Sequence, residues 1–183
     1  MKPERPPTRL DLLALARSAG VVAGSDLLSN YERLVQETRG LGPEQPLTWS
    51  ARGESLTDAA GGDQIWLHLK ADTELRLVCQ RCLGPADLAV HVARSFRFCA
   101  TEEAAQAQDA EADEDVLVWS EEFNLAQLIE DEVLLGMPLV PRHKVCPGPV
   151  TLAVADVDFD AATAEKRQPF SVLAKLKTGW PRQ

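Results

Sequence analysis

The chain has 183 residues, 45% of them hydrophobic, and carries a formal net charge of −9. That length supports one domain with a substantial core, and the composition argues against wholesale disorder. No run approaches the roughly 20 apolar residues of a membrane-spanning helix, and the negative sign argues against a protein that simply coats nucleic-acid phosphates.

Met1 to Pro7 is basic and proline-rich, and the apolar stretch after it is short and broken by charge. It does not read as a secretory signal, so a cytoplasmic protein is expected. Leu10, Leu13, Ala14 and Arg17 have helical spacing, and Gly20 follows as a stop. Ser25 is placed to cap a second helix, with Leu27, Leu28, Tyr31, Leu34 and Val35 as its apolar stripe. After Gly40 to Pro43 the period changes from helical to alternating. Leu47 to Gly53 reads as a strand. Gln64 to Cys79 continues the alternation, with a bend, a bulge or a break expected at the polar Ala71 to Glu74. Leu83-Gly84-Pro85 turns the chain into a further strand run from Leu88 to Phe98, and Val116 to Trp119 is a short strand. Asn124 and Gln127 have capping-box spacing ahead of a helix that ends near Gly136; its expected buried stripe is Leu125, Leu128, Ile129 and Val133, with Leu135 close to it. Thr151 to Val154 suggests a weak strand, and Pro169 to Lys177 a short basic helix or an extended tail. Consecutive strands flanked by helices predict an α+β fold, an antiparallel sheet or partial barrel packed against a few helices in a single domain.

The acidity is local. Between Thr101 and Glu132 lie twelve acidic residues and no Lys or Arg, which leaves 16 acids against 19 bases elsewhere. Residues 101–115 read as a solvated, flexible insertion, and residues 166–183 as a basic tail. Glu130, Asp131 and Glu132 point about 100° apart on a helix and cannot converge on a substrate. They suit a solvated or partner-docking face. No nucleophile elbow, P-loop or dinucleotide fingerprint is present, and no enzymatic activity is expected.

The chemistry-bearing feature is a pair of motifs, Cys79-Gln80-Arg81-Cys82 and His143-Lys144-Val145-Cys146. Ligands three positions apart can grip one tetrahedral ion from a tight turn, so the four side chains predict a structural Cys3His zinc site. A redox pair of the thioredoxin kind needs its first sulfur at a helix N-terminus, and here the pair ends one strand and precedes another. Ordinary buried thiols and a loop histidine bonded only to backbone are the plainer alternatives. Cys99, beside Phe98 on a strand, reads as core rather than ligand, with substitution for His143 as the alternative, and His68 and His91 read as surface or partly satisfied strand residues. Arg81 and Lys144, set between ligands, are expected to point outward from the two turns.

Leu77 to Leu83, Leu128 to Leu135 running into Pro138 to His143 and Cys146, and Gln168 to Lys177 together resemble the YceD family. These are bacterial and plastid proteins named for accumulation of the large-subunit ribosomal RNA. Order and spacing agree from about Leu47 to Lys177, with Gln168-Pro169-Phe170 standing where the family tends to have Asn-Pro-Phe. The resemblance implies a non-enzymatic role in making the large ribosomal subunit, on or near its RNA, and no catalytic residue. Arg81, Arg142, Lys144, Lys175 and Lys177 are the residues expected to meet RNA or a pre-ribosomal particle. The alternative is a module that docks a basic ribosomal protein or assembly factor through the acidic helix and loop.

Overall fold

The protein is described by a computed structural model covering residues 5–57, 63–109, 112 and 114–148. The chain divides into two units, Met1–Pro147 and Gly148–Gln183, and the fold described is that of the first. The expected strand at 151–154 and the basic tail at 166–183, with Lys175 and Lys177, lie outside the described residues.

Helix α1 (Leu12–Arg17) starts where Asp11 caps it, the carboxylate accepting from the Ala14 amide at 2.8 Å. The expected second helix does not begin at Ser25. Val21–Leu27 instead forms β1, paired antiparallel with β2 (Pro46–Thr57) from Val21↔Arg52 to Leu27↔Pro46. The β-branched Val21-Val22 and a full ladder of backbone bonds outweigh what one serine cap offers. Helical turns come later, as a 3-10 turn at Leu28–Asn30 and then α2 (Glu32–Glu37). Leu28, Tyr31 and Leu34 keep their spacing of three and are all buried, so the apolar stripe survives the change of element.

Strands β2, β3 (Asp63–Val78) and β4 (Pro85–Cys99) form an antiparallel meander. β3 is one unbroken strand. Its polar middle keeps the alternation, with Ala71 and Thr73 buried between exposed Asp72 and Glu74, and the Thr73 hydroxyl donates to the Pro46 carbonyl at 3.0 Å. One face of the meander carries Leu47, Trp49, Leu67, Leu69, Leu75, Val90 and Phe96 into the core. The other presents polar rows such as Thr48, Asp72 and His91 to water. Gly53 lets α1 lie directly on the sheet, since a Cβ there would sit 2.7 Å from the Ala16 nitrogen.

The acidic stretch contains α3 (Glu102–Asp109), an element absent from the sequence reading, with Ala105 buried. It carries the chain back so that β5 (Asp115–Val118) re-enters parallel to β4, Phe96 pairing with Asp115. Parallel neighbours need a crossover of about a dozen residues, and residues 100–114 supply it. The result is an open five-stranded mixed sheet in the order β1-β2-β3-β4-β5. The α+β expectation holds, with the last strand pair parallel.

Helix α4 (Leu125–Leu135) covers the core face, capped by Asn124, whose side chain accepts from the Gln127 amide at 3.1 Å. Leu125, Ile129 and Val133 are fully buried, whereas Leu135 is 77% exposed and Glu132 is buried in its stead. Ile129 and Val133 join the cluster that contains Leu69 and Phe96, so the sheet packs against this helix as its pattern requires. No helix among the described residues is long and apolar enough to cross a membrane.

Candidate metal centre

β3 runs straight into the first pair of sulfur ligands. Residues Cys79–Gly84 close a tight turn in which the Leu83 amide donates to the Cys79 carbonyl and the Cys79 amide to the Gly84 carbonyl, each at 2.9 Å. The turn requires Leu83 to take a left-handed φ of 60°, a conformation that L-residues adopt at a cost of about 1–2 kcal/mol. The second pair arrives on the segment leaving α4. The Gln80 amide donates to the Pro141 carbonyl at 2.8 Å and so lays that segment against the turn.

Four side chains converge there. One ligand atom from each of Cys79, Cys82, His143 and Cys146 lies within 4.8 Å of every other. The Cys79 and Cys146 sulfurs are 3.9 Å apart, and the Cys82 sulfur is 3.4 Å from His143 Nδ1. A tetrahedral zinc ion with ordinary bond lengths requires about 3.8 Å between sulfurs and about 3.6 Å between sulfur and nitrogen. All four cysteines of the chain are free thiols, and a 3.9 Å separation is far from a disulfide bond. The donor set, its spacing and its protein-only shell therefore fit a structural zinc ion.

The surroundings are organised for the same task. His143 Nε2 donates to the Pro85 carbonyl at 2.8 Å, which leaves the Nδ1 lone pair directed at the sulfurs. Fixing the second ring nitrogen in this way is how metal-binding imidazoles are oriented. The Cys82 amide, aided by those of His143 and Arg81 against the opposing effect of burial, draws the Cys79 thiol down to about 5. Cys82 accepts from the Gly84 amide, but burial and the sulfurs of Cys146 and Cys79 push it up instead. Contact with the sulfurs of Cys79 and Cys146 raises His143. Arg81 does not point simply outward. Its Nε donates to the Cys146 sulfur at 3.0 Å, and this contact raises its own pKa. Three thiolates around one divalent ion would leave a net negative charge, and the Arg81 guanidinium stands where it would offset that charge.

Arg81, Arg142 and Lys144 are all exposed on the two segments from which the four side chains converge. Lys175 and Lys177 lie outside the described residues. Cys99 is buried core at the far end of β4, beside the Ile65 end of β3 rather than the Val78 end that leads to Cys79. The acidic helix is less free than its sequence implies. The Glu130 carboxylate accepts from the Arg33 amide at 2.8 Å and from the Arg33 guanidinium at 2.8 Å, and Asp131 pairs with the same arginine. Glu132 is buried, with Arg94 at 3.7 Å. The roles of the Pro85 carbonyl and of Arg33 have no local signal, because each depends on a partner more than 50 positions away.

Residues 67–177 match the family described as large ribosomal RNA subunit accumulation protein YceD, a stretch that includes all four candidate ligands. A protein of that name from Haemophilus influenzae is 31% identical over 112 residues, which cover 59% of this chain and 63% of the relative. The match therefore spans less than two thirds of the relative's length. No solved structure matches the chain. With the family pattern extending over more than half of the chain and enclosing both halves of the cluster, this protein belongs to the YceD family.

Proposed function

We propose that this protein is a non-enzymatic, cytoplasmic factor for accumulation of the large-subunit ribosomal RNA. It binds pre-ribosomal material through the cationic end of the domain that a structural zinc ion holds together. The observation that carries this reading is the Cys3His cluster inside the family match, with Arg142 and Lys144 exposed on the segment that the ligands clamp. A closed four-ligand shell leaves no open coordination position for chemistry. The zinc therefore has a folding role and the protein a binding one. Lys175 and Lys177, which lie outside the described residues, add cations of the kind that contact RNA phosphates. Docking a basic protein through the acidic helix is less well supported, because Glu130 and Asp131 are paired with Arg33 and Glu132 is buried.

Co-sedimentation of full-length protein with large-subunit precursors tests this reading. Association is expected to weaken steeply with salt and to fall when Lys175 and Lys177 are both changed to Glu. Free protein at the top of the gradient, with precursor levels unchanged in a deletion strain, would remove the ribosomal role.

A further inference from the structure

The same end of the molecule carries a feature that charge alone does not explain. Leu83 is 75% exposed, Leu139 101%, Val140 52% and Val145 84%. All four belong to the turn 79–84 or to the segment 137–146, from which the four candidate ligands converge. Leu83 is costly twice, with an apolar side chain in water on a backbone at φ 60° that glycine occupies without strain. Beside the turn runs a groove of about 380 Å³ whose apolar lining includes Leu77, Val78, Leu134, Met137 and Leu139. The exposed Glu37 and Arg39 balance each other in charge on its α2 side, so that the unbalanced cations lie at the Arg142–Lys144 end. Leu77–Ala86 and Val133–Gly148 contain Arg81, Arg142 and Lys144 but no Asp or Glu, in a chain of net charge −9. The nearest acid after the turn, Asp87, is already paired with Arg76 at 2.7 Å.

We propose that this face is a docking site for a protein segment with a leucine-type stripe flanked by carboxylates, such as one acidic amphipathic helix. The apolar edge would lie in the groove and against Leu139 and Leu83, and the carboxylates would meet Arg142 and Lys144. Arg81 contributes less, because its guanidinium is turned onto the Cys146 sulfur. At this face the chemistry favours a protein component of the pre-ribosomal material over its RNA, which leaves the phosphate contacts of the proposed function to Lys175 and Lys177. Single-stranded RNA is gripped by stacking on aromatic rings and by cations, and these two segments contain no Phe, Tyr or Trp. Aliphatic tips between cations instead match an apolar stripe between anions. The inference rests on the proposed ribosomal role only for the setting in which the partner is met.

The test uses full-length, zinc-loaded protein and three synthetic amphipathic peptides that share one leucine stripe and differ in carrying Glu, Gln or Lys on the polar face. A single-stranded RNA oligonucleotide is the fourth probe. The Glu peptide is expected to bind best, with affinity falling about tenfold in Leu139→Ser and again in the Arg142→Glu, Lys144→Glu double variant. That double variant should in turn prefer the Lys peptide. Leu139 is wholly exposed, so its change leaves the core intact. Leu83→Gly relieves the strained backbone and provides a second variant that keeps the fold and zinc while losing the anchor. Equal binding of all three peptides, or none by the Glu peptide, overturns the proposal. So does RNA binding that is lost in Leu139→Ser, or concentration-dependent self-association through the same residues. Peptide binding is read without ribosomal material, so its failure leaves the co-sedimentation result standing, and the reverse.

Discussion

Two residues behave differently from what their position in the sequence suggests, and each can be tested alone. Arg81 lies between two cysteines and donates to the sulfur of a third, Cys146, at 3.0 Å. Removing an outer-shell partner of this kind lowers metal affinity by about 10–100-fold. Arg81→Ala is expected to fall in that range in a chelator-competition titration, with Arg81→Lys intermediate because an ammonium keeps the charge but not the planar donor. Unchanged affinity would return Arg81 to the set of freely exposed cations. Glu132 is a carboxylate forced under the core by the geometry of α4, and burial raises its pKa against the opposing pull of Arg94. A folded-state pKa above the unfolded one means that this group contributes fully below the unfolded value of about 4.3 and that the contribution is lost as pH rises through the folded value. Glu132→Gln should therefore be at least as stable as the parent at neutral pH, and any advantage should shrink as pH falls through the folded value toward the unfolded one. Thermal melts across the pH range decide it. Greater loss of stability at pH 7 than at pH 4 would show that Arg94 outweighs burial.

The elements are held by two different kinds of contact. α4 meets the sheet through Ile129 and Val133, both fully buried. Ile129→Ala is expected to cost about 2–5 kcal/mol in denaturant unfolding, and an unchanged midpoint would contradict the packing. α2 meets α4 through Glu130, which accepts the Arg33 amide at 2.8 Å and the Leu34 amide at 3.4 Å. Tyr31, at the cap position of α2, supplies no side-chain bond of its own. A carboxylate from another helix is thus the N-cap of α2, and Glu130→Ala should cost about 0.5–2 kcal/mol, the usual range for a lost cap. The consequence for function is practical. Charge removal along Glu130 to Glu132 perturbs packing, so a lost interaction in such a variant counts as evidence of docking only if stability is measured beside it.

At the scale of the whole molecule, the candidate Cys3His centre lies apart from the hydrophobic core. None of the four ligands belongs to the main apolar cluster, which is built from β2, β3, β4 and the helices. Chelation is therefore expected to lower the melting temperature and to release amide protection in 79–84 and 141–146 together, while core amides of β3 and α4 stay protected. Hydrogen exchange with and without chelator reads this directly. Collapse of protection throughout would mean that zinc holds the entire domain. Elemental analysis supplies the prior measurement, expected at one zinc per chain and lost in Cys79→Ser.

Much of this architecture is written in local pattern. Alternation sets β2, β3 and β4, and helical spacing with an asparagine cap sets α4, because burial on one face imposes its period on any sequence that folds this way. The four ligands were legible for a similar reason, since a turn that presents two donors needs them three apart. What the local pattern left open was decided by partners distant in sequence. Val21–Leu27 is a strand because β2 offers it a ladder, and β5 runs parallel because α3 returns the chain to the start of that edge. Glu130 is internal because Arg33 meets it, and Arg81 turns inward because Cys146 arrives beside it. Spacing along a chain specifies which side chains share a face, but the energy of a buried charge or an edge hydrogen bond depends on what the fold brings opposite, and only the tertiary structure decides that.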